Sequence, residues 1–356
     1  SNSVRLPAIL VTILLGVSLL YVKVSSAYYC SYDDFIELHR AAFEDAHDPA
    51  RVFTTSHFGS YKYRPLNRAM NLLTYWVGQG DPVFFRIRNL GFHLLNVILV
   101  YGLGWLLFRS AQISMLGAIF FGLHPLANQS IIGAVMTNTM AHTGFLLAIV
   151  MFVVSVGGKR FWGLWLIGGL VSGWLSLLAY DSEIVVFGLM CIYLAAHFFF
   201  RREGVSWRFI LVFITLSGIL LSSYFLLRAL FVPRGWGQAT ASVPSHVILG
   251  KNLLMYLVAL LSPIDVVLAN EWLATPLPSE LVLKISTIIT LGSLALASVL
   301  GVAMLIWRWA KRNSIFIQQT DWVAVVFLLS GIATPLLPVL LFESHPSETY
   351  LYLPVA

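Results

Sequence analysis

FILVFITLSGILLSSYFLLRALF, residues 209–231, carries one charged side chain, Arg228, in a run otherwise built from apolar and small polar residues. A helix needs roughly 20 predominantly apolar residues to cross the hydrocarbon core of a bilayer, and this stretch meets that length without a break. The same ruler, moved along the chain, gives spans at 7–25, 86–108, 111–125, 139–157, 161–179, 184–200, 209–231, 283–307 and 322–342. The third is short, which implies a helix that ends inside protein or against a cavity, where non-helical backbone can be satisfied. Residues 349–356 read as the start of one more span. The expectation is an all-α polytopic membrane protein with about nine to ten spans.

Composition agrees. Hydrophobic residues make up 58% of the chain and charged ones 11%, against about 25% charged in soluble domains, and the mean hydropathy is +0.83. The net charge of +6 comes from basic residues scattered at segment ends, with no basic stripe interleaved with aromatics. Membrane topology accounts for them, and no nucleic-acid partner is expected. The two cysteines, Cys30 and Cys191, supply neither a disulfide framework nor a Cys/His metal site. Residues 7–25 lack a clear small-residue cleavage site before Tyr28 and Tyr29 and read as a retained first helix.

With the N-terminus taken as cytoplasmic, the inner connections receive Arg5, Arg109, Lys159, Arg160, Arg201, Arg202, Arg208, Arg308, Lys311 and Arg312 against Glu203 and Asp321 alone. The other acids and most histidines then fall on the outer side, where a polar reaction chamber would need them. Two outer connections are long, 26–85 and 233–282. In the first, DDFIELHRAAFEDA (33–46) sets Phe35, Leu38, Ala42 and Phe43 near one face at helical spacing, as in a helix lying in the membrane interface. PLNRAMNLLTYWV (65–77) reads as a second such helix. In the other, Pro233, Gly235, Gly237 and Pro244 are breakers, followed by an interfacial or re-entrant stretch at 247–268. No repeat and no soluble domain is evident, so residues 1–356 read as a single transmembrane domain.

The polar residues of these loops admit two readings each. Asp33 and Asp34 suit a helix N-cap; equally, a partly desolvated carboxylate at the membrane boundary can act as general base toward an acceptor hydroxyl, with its neighbour orienting it. In YKYRPLNR (61–68), Lys62, Arg64 and Arg68 suit lipid headgroups, or a forked donor for a phosphate leaving group. His124 and Pro125 close a helix, and a structural histidine is the competing reading. Asp181 and Glu183 stand where a helix start would be capped. Arg228, four residues after Tyr224, is costly in lipid without a partner. Glu343, His345 and Glu348 gather near the end of the chain.

Their order along the chain is more specific than any one of them. YDD follows the first span, YRPL precedes the second, LHP closes the third, SE precedes the sixth, Tyr-x3-Arg lies in the seventh and SETYLYLP follows the ninth. This order resembles the GT-C membrane glycosyltransferases, above all the transmembrane and tetratricopeptide-repeat O-mannosyltransferases and their bacterial relatives, here without the repeats. The resemblance implies a GT-C-like helix bundle with interfacial helices in the first outer loop and a polyprenyl-phosphate sugar as donor. It implies Asp33 as the base with Asp34 as neighbour or substitute, Arg64, His124 and Arg228 at the carrier phosphate, and Lys62, Glu183, Glu348 and Tyr352 lining the cavity. It implies no cofactor and no metal ligands, although a divalent ion stays open. The partners it implies are membrane lipid, the lipid-linked sugar, an acceptor protein or glycolipid and, in some arrangements, other membrane subunits. A bacterial inner membrane with the site facing the periplasm is preferred to the endoplasmic reticulum.

The departures are equally specific. Where relatives carry an HPVHTEAV-like run, this chain has HPLANQSI (124–131), with Gln129 in place of a glutamate. The GR-like element reads Thr137-Asn138. The SKE-like element reads Asp181-Ser182-Glu183 and the ERYLYLP-like element has Thr349, each losing a basic residue. Losing cations weakens the electrostatic stabilisation on which such chemistry depends. A catalytically silent subunit that keeps the fold is therefore the alternative, and a transporter a third reading, although no pair of spans shows matched Gly/Pro interruptions.

Overall fold

The structure, a computed structural model, describes residues 2–25, 32–56, 62–124, 128–135, 138–158, 161–201, 205–232, 323–324 and 326–331. The expected span at 283–307, most of that at 322–342, the loop 233–282, and Glu348, Thr349 and Tyr352 lie outside these residues. Every regular element among the described residues is helical. The helices are α1 (Asn2–Ser25), α2 (Tyr32–Arg40), α3 (Arg51–Thr54), α4 (Pro65–Gly78), α5 (Pro82–Phe108), α6 (Ala111–Leu123), α7 (Asn128–Ile132), α8 (Asn138–Val156), α9 (Trp162–Ala179), α10 (Val185–Ala196) and α11 (Trp207–Phe231). Five stretches are long and apolar enough to cross a membrane: Pro82–Phe108, Asn138–Val156, Trp162–Ala179, Asp181–Phe199 and Trp207–Phe231. The chain is a multi-pass membrane protein.

Where the short third span is expected, the structure has α6, an apolar helix shorter than a full membrane crossing, which stops at Leu123 with His124 in extended backbone as its C-cap. Helices α5 and α6 are joined through Arg109 and Ser110 alone and pack side by side, so they run antiparallel. Helices α8 and α9 form the tightest pair. A Cβ on Gly144 would come within 3.0 Å of the Ser176 Cβ, and one on Gly169 within 3.0 Å of the Ala148 carbonyl oxygen. Glycine at these two positions lets the backbones close, as small residues do between helices in lipid. Ser176 Oγ then donates across the contact to the Ala141 carbonyl at 2.7 Å.

Beside an apolar core, the bundle buries polar side chains while leaving large apolar ones exposed. On α5, Asn89, His93 and Asn96 are fully buried, whereas Ile87, Leu95, Ile98 and Trp105 are exposed. The two loop helices behave alike. On α2, Asp34 and Glu37 face inward, followed by Asp45, which a wide π-helical turn at Ala41–Asp45 keeps on the same side. Phe35 and Phe43 are exposed, at 57% and 67%, as the interfacial-helix expectation requires. On α4, Asn67, Arg68 and Asn71 are buried and Leu73, Trp76 and Val77 exposed.

What draws the polar faces inward is a break in the backbone. Helix α7 ends at Ile132 and α8 begins at Asn138, so the carbonyls that follow have no intrahelical partner. Side chains take them one by one. Arg86 Nε donates to the Ile132 carbonyl (2.9 Å), Asn89 Nδ2 to Gly133 (2.8 Å), Arg88 Nη2 to Ala134 (3.0 Å) and Asn71 Nδ2 to Val135 (3.2 Å). The Val135 N–H, in turn, donates to Asp34 Oδ1 at 3.1 Å. An orphaned buried polar group costs about 1–3 kcal/mol. Asn89→Leu is therefore expected to destabilise the protein by about 1–3 kcal/mol, read as a lowered melting temperature in nanodiscs. Leu95→Ala on the exposed face of the same helix should stay within about 0.5 kcal/mol. Equal melting of the two variants would remove the break from its central role.

Candidate functional site

Helix α4 carries its N-terminus into a second polar cluster. Arg64 is its N-cap and Pro65 its first helical residue, where the missing N–H costs nothing. Arg64 Nε donates to Asp181 Oδ1 at 2.6 Å, and Nη2 meets the same oxygen. The guanidinium carbon lies 4.0 Å from the centre of the Tyr180 ring, a cation–π contact. Burial works against the Arg64 charge, but the Asp181 carboxylate, with Tyr180 and Tyr224, holds the group above its ordinary pKa. Lys62 lies within electrostatic reach of Asp181.

The turn that bears Asp181 is pinned from its other side. Asp181–Ile184 is a single 3-10 turn between α9 and α10, and alternate residues of it point apart. Glu183 is buried and its Oε1 stands 2.7 Å from His142 Nδ1 on α8. Helix α11 completes the cluster. Tyr224 is 1% exposed, within electrostatic reach of Asp181, Arg228, Arg64 and Tyr63. Its ring lies 6.5 Å from that of Tyr63, which also stacks on Phe231. The Tyr63 hydroxyl donates to the Phe53 carbonyl at 2.9 Å, tying α3 to the same corner.

The site residues read from the sequence thus fall into groups. Arg64 is bonded to Asp181, Lys62 lies within electrostatic reach of Asp181, and Arg228 lies within electrostatic reach of Tyr224, so these residues belong to one region of the bundle. Arg228 is half-buried in the last turn of α11, near the helix C-terminus, where the dipole favours a cation. Asp34 belongs to the other cluster, fully buried on the Val135 N–H. Asp33 lies in the first turn of α2, but its side chain is outside the described part, as is that of Gln129. Arg68, grouped in the sequence with Lys62 and Arg64, is buried and forked onto Asp45 at 3.3 and 2.5 Å, with Thr55 also bonded. His124 is buried with its ring against Phe120 at 4.8 Å. Asn138 is buried and Ser182 exposed.

Sequence reasoning passed over His142, Tyr180, Asn71 and Glu37. A histidine among apolar residues in MAHTGF (140–145) is a signal in hindsight; Tyr180 offered none. Among the described residues no group of three His, Cys, Asp or Glu could hold a metal ion. The chain matches no known protein family, no curated protein and no solved structure.

Glu37, on the loop helix α2, carries a pH signature. Burial pushes its carboxyl from 4.5 up to about 7, against the pull of Arg40, the Asn71 hydrogen bond and Arg68. A pKa raised on folding gives stability that is complete below the unfolded value and lost as pH rises through the folded one. Between pH 4.5 and about 7 the Glu37 contribution should therefore fall, and Glu37→Gln should flatten the profile. Melting temperatures of both proteins across that range test this, and parallel curves would refute it.

Proposed function

We propose that the chain is a GT-C-like glycosyltransferase that moves a sugar, mannose-like in kind, from a polyprenyl-phosphate carrier to a hydroxyl acceptor. The observation that carries this reading is the Arg64 fork, held on Asp181 and against the Tyr180 ring, with Lys62 within electrostatic reach of that carboxylate and Arg228 within reach of the neighbouring Tyr224. The Arg64 fork is a donor suited to a phosphate, and Tyr180 and Tyr224 supply a wall and a hydroxyl. The acceptor oxygen attacks the anomeric carbon, the bond from that carbon to the phosphate oxygen breaks, and Asp33 takes the acceptor proton. The carrier phosphate leaves with an added negative charge, which Arg64 and Arg228 stabilise, with His124 as a further donor. The full bundle has nine to ten spans in this reading.

Sidedness supports an extracytoplasmic site. The basic residues Arg109, Lys159, Arg160 and Arg208 belong to connections at the opposite ends of the same helices, and such residues stay in the cytoplasm. A bacterial inner membrane with the site toward the periplasm fits best. One observation favours the second reading, a silent accessory subunit: Arg64 is closed on Asp181 and Asp34 is committed to a backbone amide.

Transfer from radiolabelled polyprenyl-phosphate mannose into membrane-extract acceptors decides between them. The purified protein should transfer, Asp33→Asn should abolish transfer, and Arg228→Ala should lower it by about 10²–10³. A folded protein inactive with mannose, glucose and arabinose carriers alike would instead be the accessory subunit.

A further inference from the structure

Arg64 presents two N–H groups of one guanidinium edge to a single oxygen, Asp181 Oδ1. A phosphate oxygen would be held in the same way. Asp181 is thus seated where an anionic ligand of Arg64 would sit, and its side chain, 23% exposed, has water to turn into. The turn beneath it does not depend on that contact. Glu183 is held by His142 from the far side, and its N–H donates to the Tyr180 carbonyl at 3.0 Å. Lys62 is near enough to receive the displaced carboxylate. The Tyr224 hydroxyl is buried beside the pair and has no hydrogen-bond partner among the described residues, which leaves it to donate to an incoming oxygen.

We propose that Asp181 is an internal competitor for the anion, closing Arg64 in the empty protein and giving way to the phosphate of a lipid. The inference rests on the reading of this corner as a phosphate site and adds to it a specificity element. A neutral lipid offers nothing to replace the carboxylate. A phosphate exchanges one charged partner for another and gains the Tyr224 hydroxyl as well. The competition also favours the more highly charged leaving form over the phosphodiester donor, so Arg64 passes to the phosphate as charge develops there.

Dodecyl phosphate binding to the protein in neutral-lipid nanodiscs, followed by native mass spectrometry, tests the exchange. Asp181→Asn is expected to tighten binding about tenfold, the relief due if the pair stands open about a tenth of the time. Asp181→Ser should do the same, and melting temperatures verify that both variants are folded. Unchanged or weaker binding by both folded variants, with Arg64→Gln abolishing wild-type binding, would overturn the competitor while leaving the phosphate site intact. No binding by the wild type or either Asp181 variant would overturn the phosphate site and the competitor together.

Discussion

A backbone that leaves its helix inside an apolar bundle has to be satisfied by protein, because lipid offers neither donor nor acceptor. That constraint acts at residues 132–135, and much of the surrounding architecture answers it. The donors come from two elements, Arg86, Arg88 and Asn89 on α5 and Asn71 on α4, and the acceptor, Asp34, from a third. The donors are themselves held in place. Arg88 donates to Asn71 Oδ1 at 2.8 Å and to Asn89 Oδ1 at 2.9 Å, and Asn71 donates to Glu37 at 3.2 Å. The amphipathic loop helices dock polar face inward because their partners are these groups, and their aromatic faces are left to the interface. One irregular segment therefore fixes where α2 and α4 lie.

Helix α4 links this network to the Arg64 corner. Asn67, Arg68 and Asn71 turn toward the first, while Arg64 at its N-terminus belongs to the second. Leu66 and Met70, on another face, pack with Met140, Ala141, Ala179 and Tyr180 at the ends of α8 and α9. A shift of α4 would therefore alter both polar clusters, and the carbonyl network holds the helix against such a shift. Second-sphere rigidity of this kind keeps a forked cation aimed at one point.

The spans were legible in the sequence because length and apolar content are local properties. Residues 209–231 and 161–179 read within two residues of membrane-crossing helices observed, and 111–125 within two of a shorter apolar helix. The outward faces of the loop helices were legible as well, from the spacing of Phe35 and Phe43. Partners were not. Arg88 and Ala134, or Arg64 and Asp181, are joined across long stretches of chain, and no periodicity encodes which polar residue meets which. For Asp181 and Asp34 the only structural role the sequence offered was a local cap, the commonest use of aspartate near a helix start, beside a functional reading. One proved to be an ion-pair partner of a distant arginine and the other a cap for a distant amide. Local and non-local roles use the same residue types, so only the fold separates them.

The cations at this end of the helices would be costly against lipid, and each has an identifiable reason to be tolerated. Arg86 and Arg88 are spent on backbone carbonyls in the break. Arg68 is buried with Asp45, where removal of either partner would leave an uncompensated charge. Arg228 sits at a helix C-terminus. The arrangements of Arg86, Arg88 and Arg68 are closed, in that the counter-group is backbone or fully buried. Arg64 differs, because Asp181 remains partly exposed and can be exchanged without unfolding the turn that bears it. Among these cations it combines a preorganised fork, an aromatic support and a replaceable anion, and chemistry on a charged substrate would use that combination rather than the groups already committed to the fold.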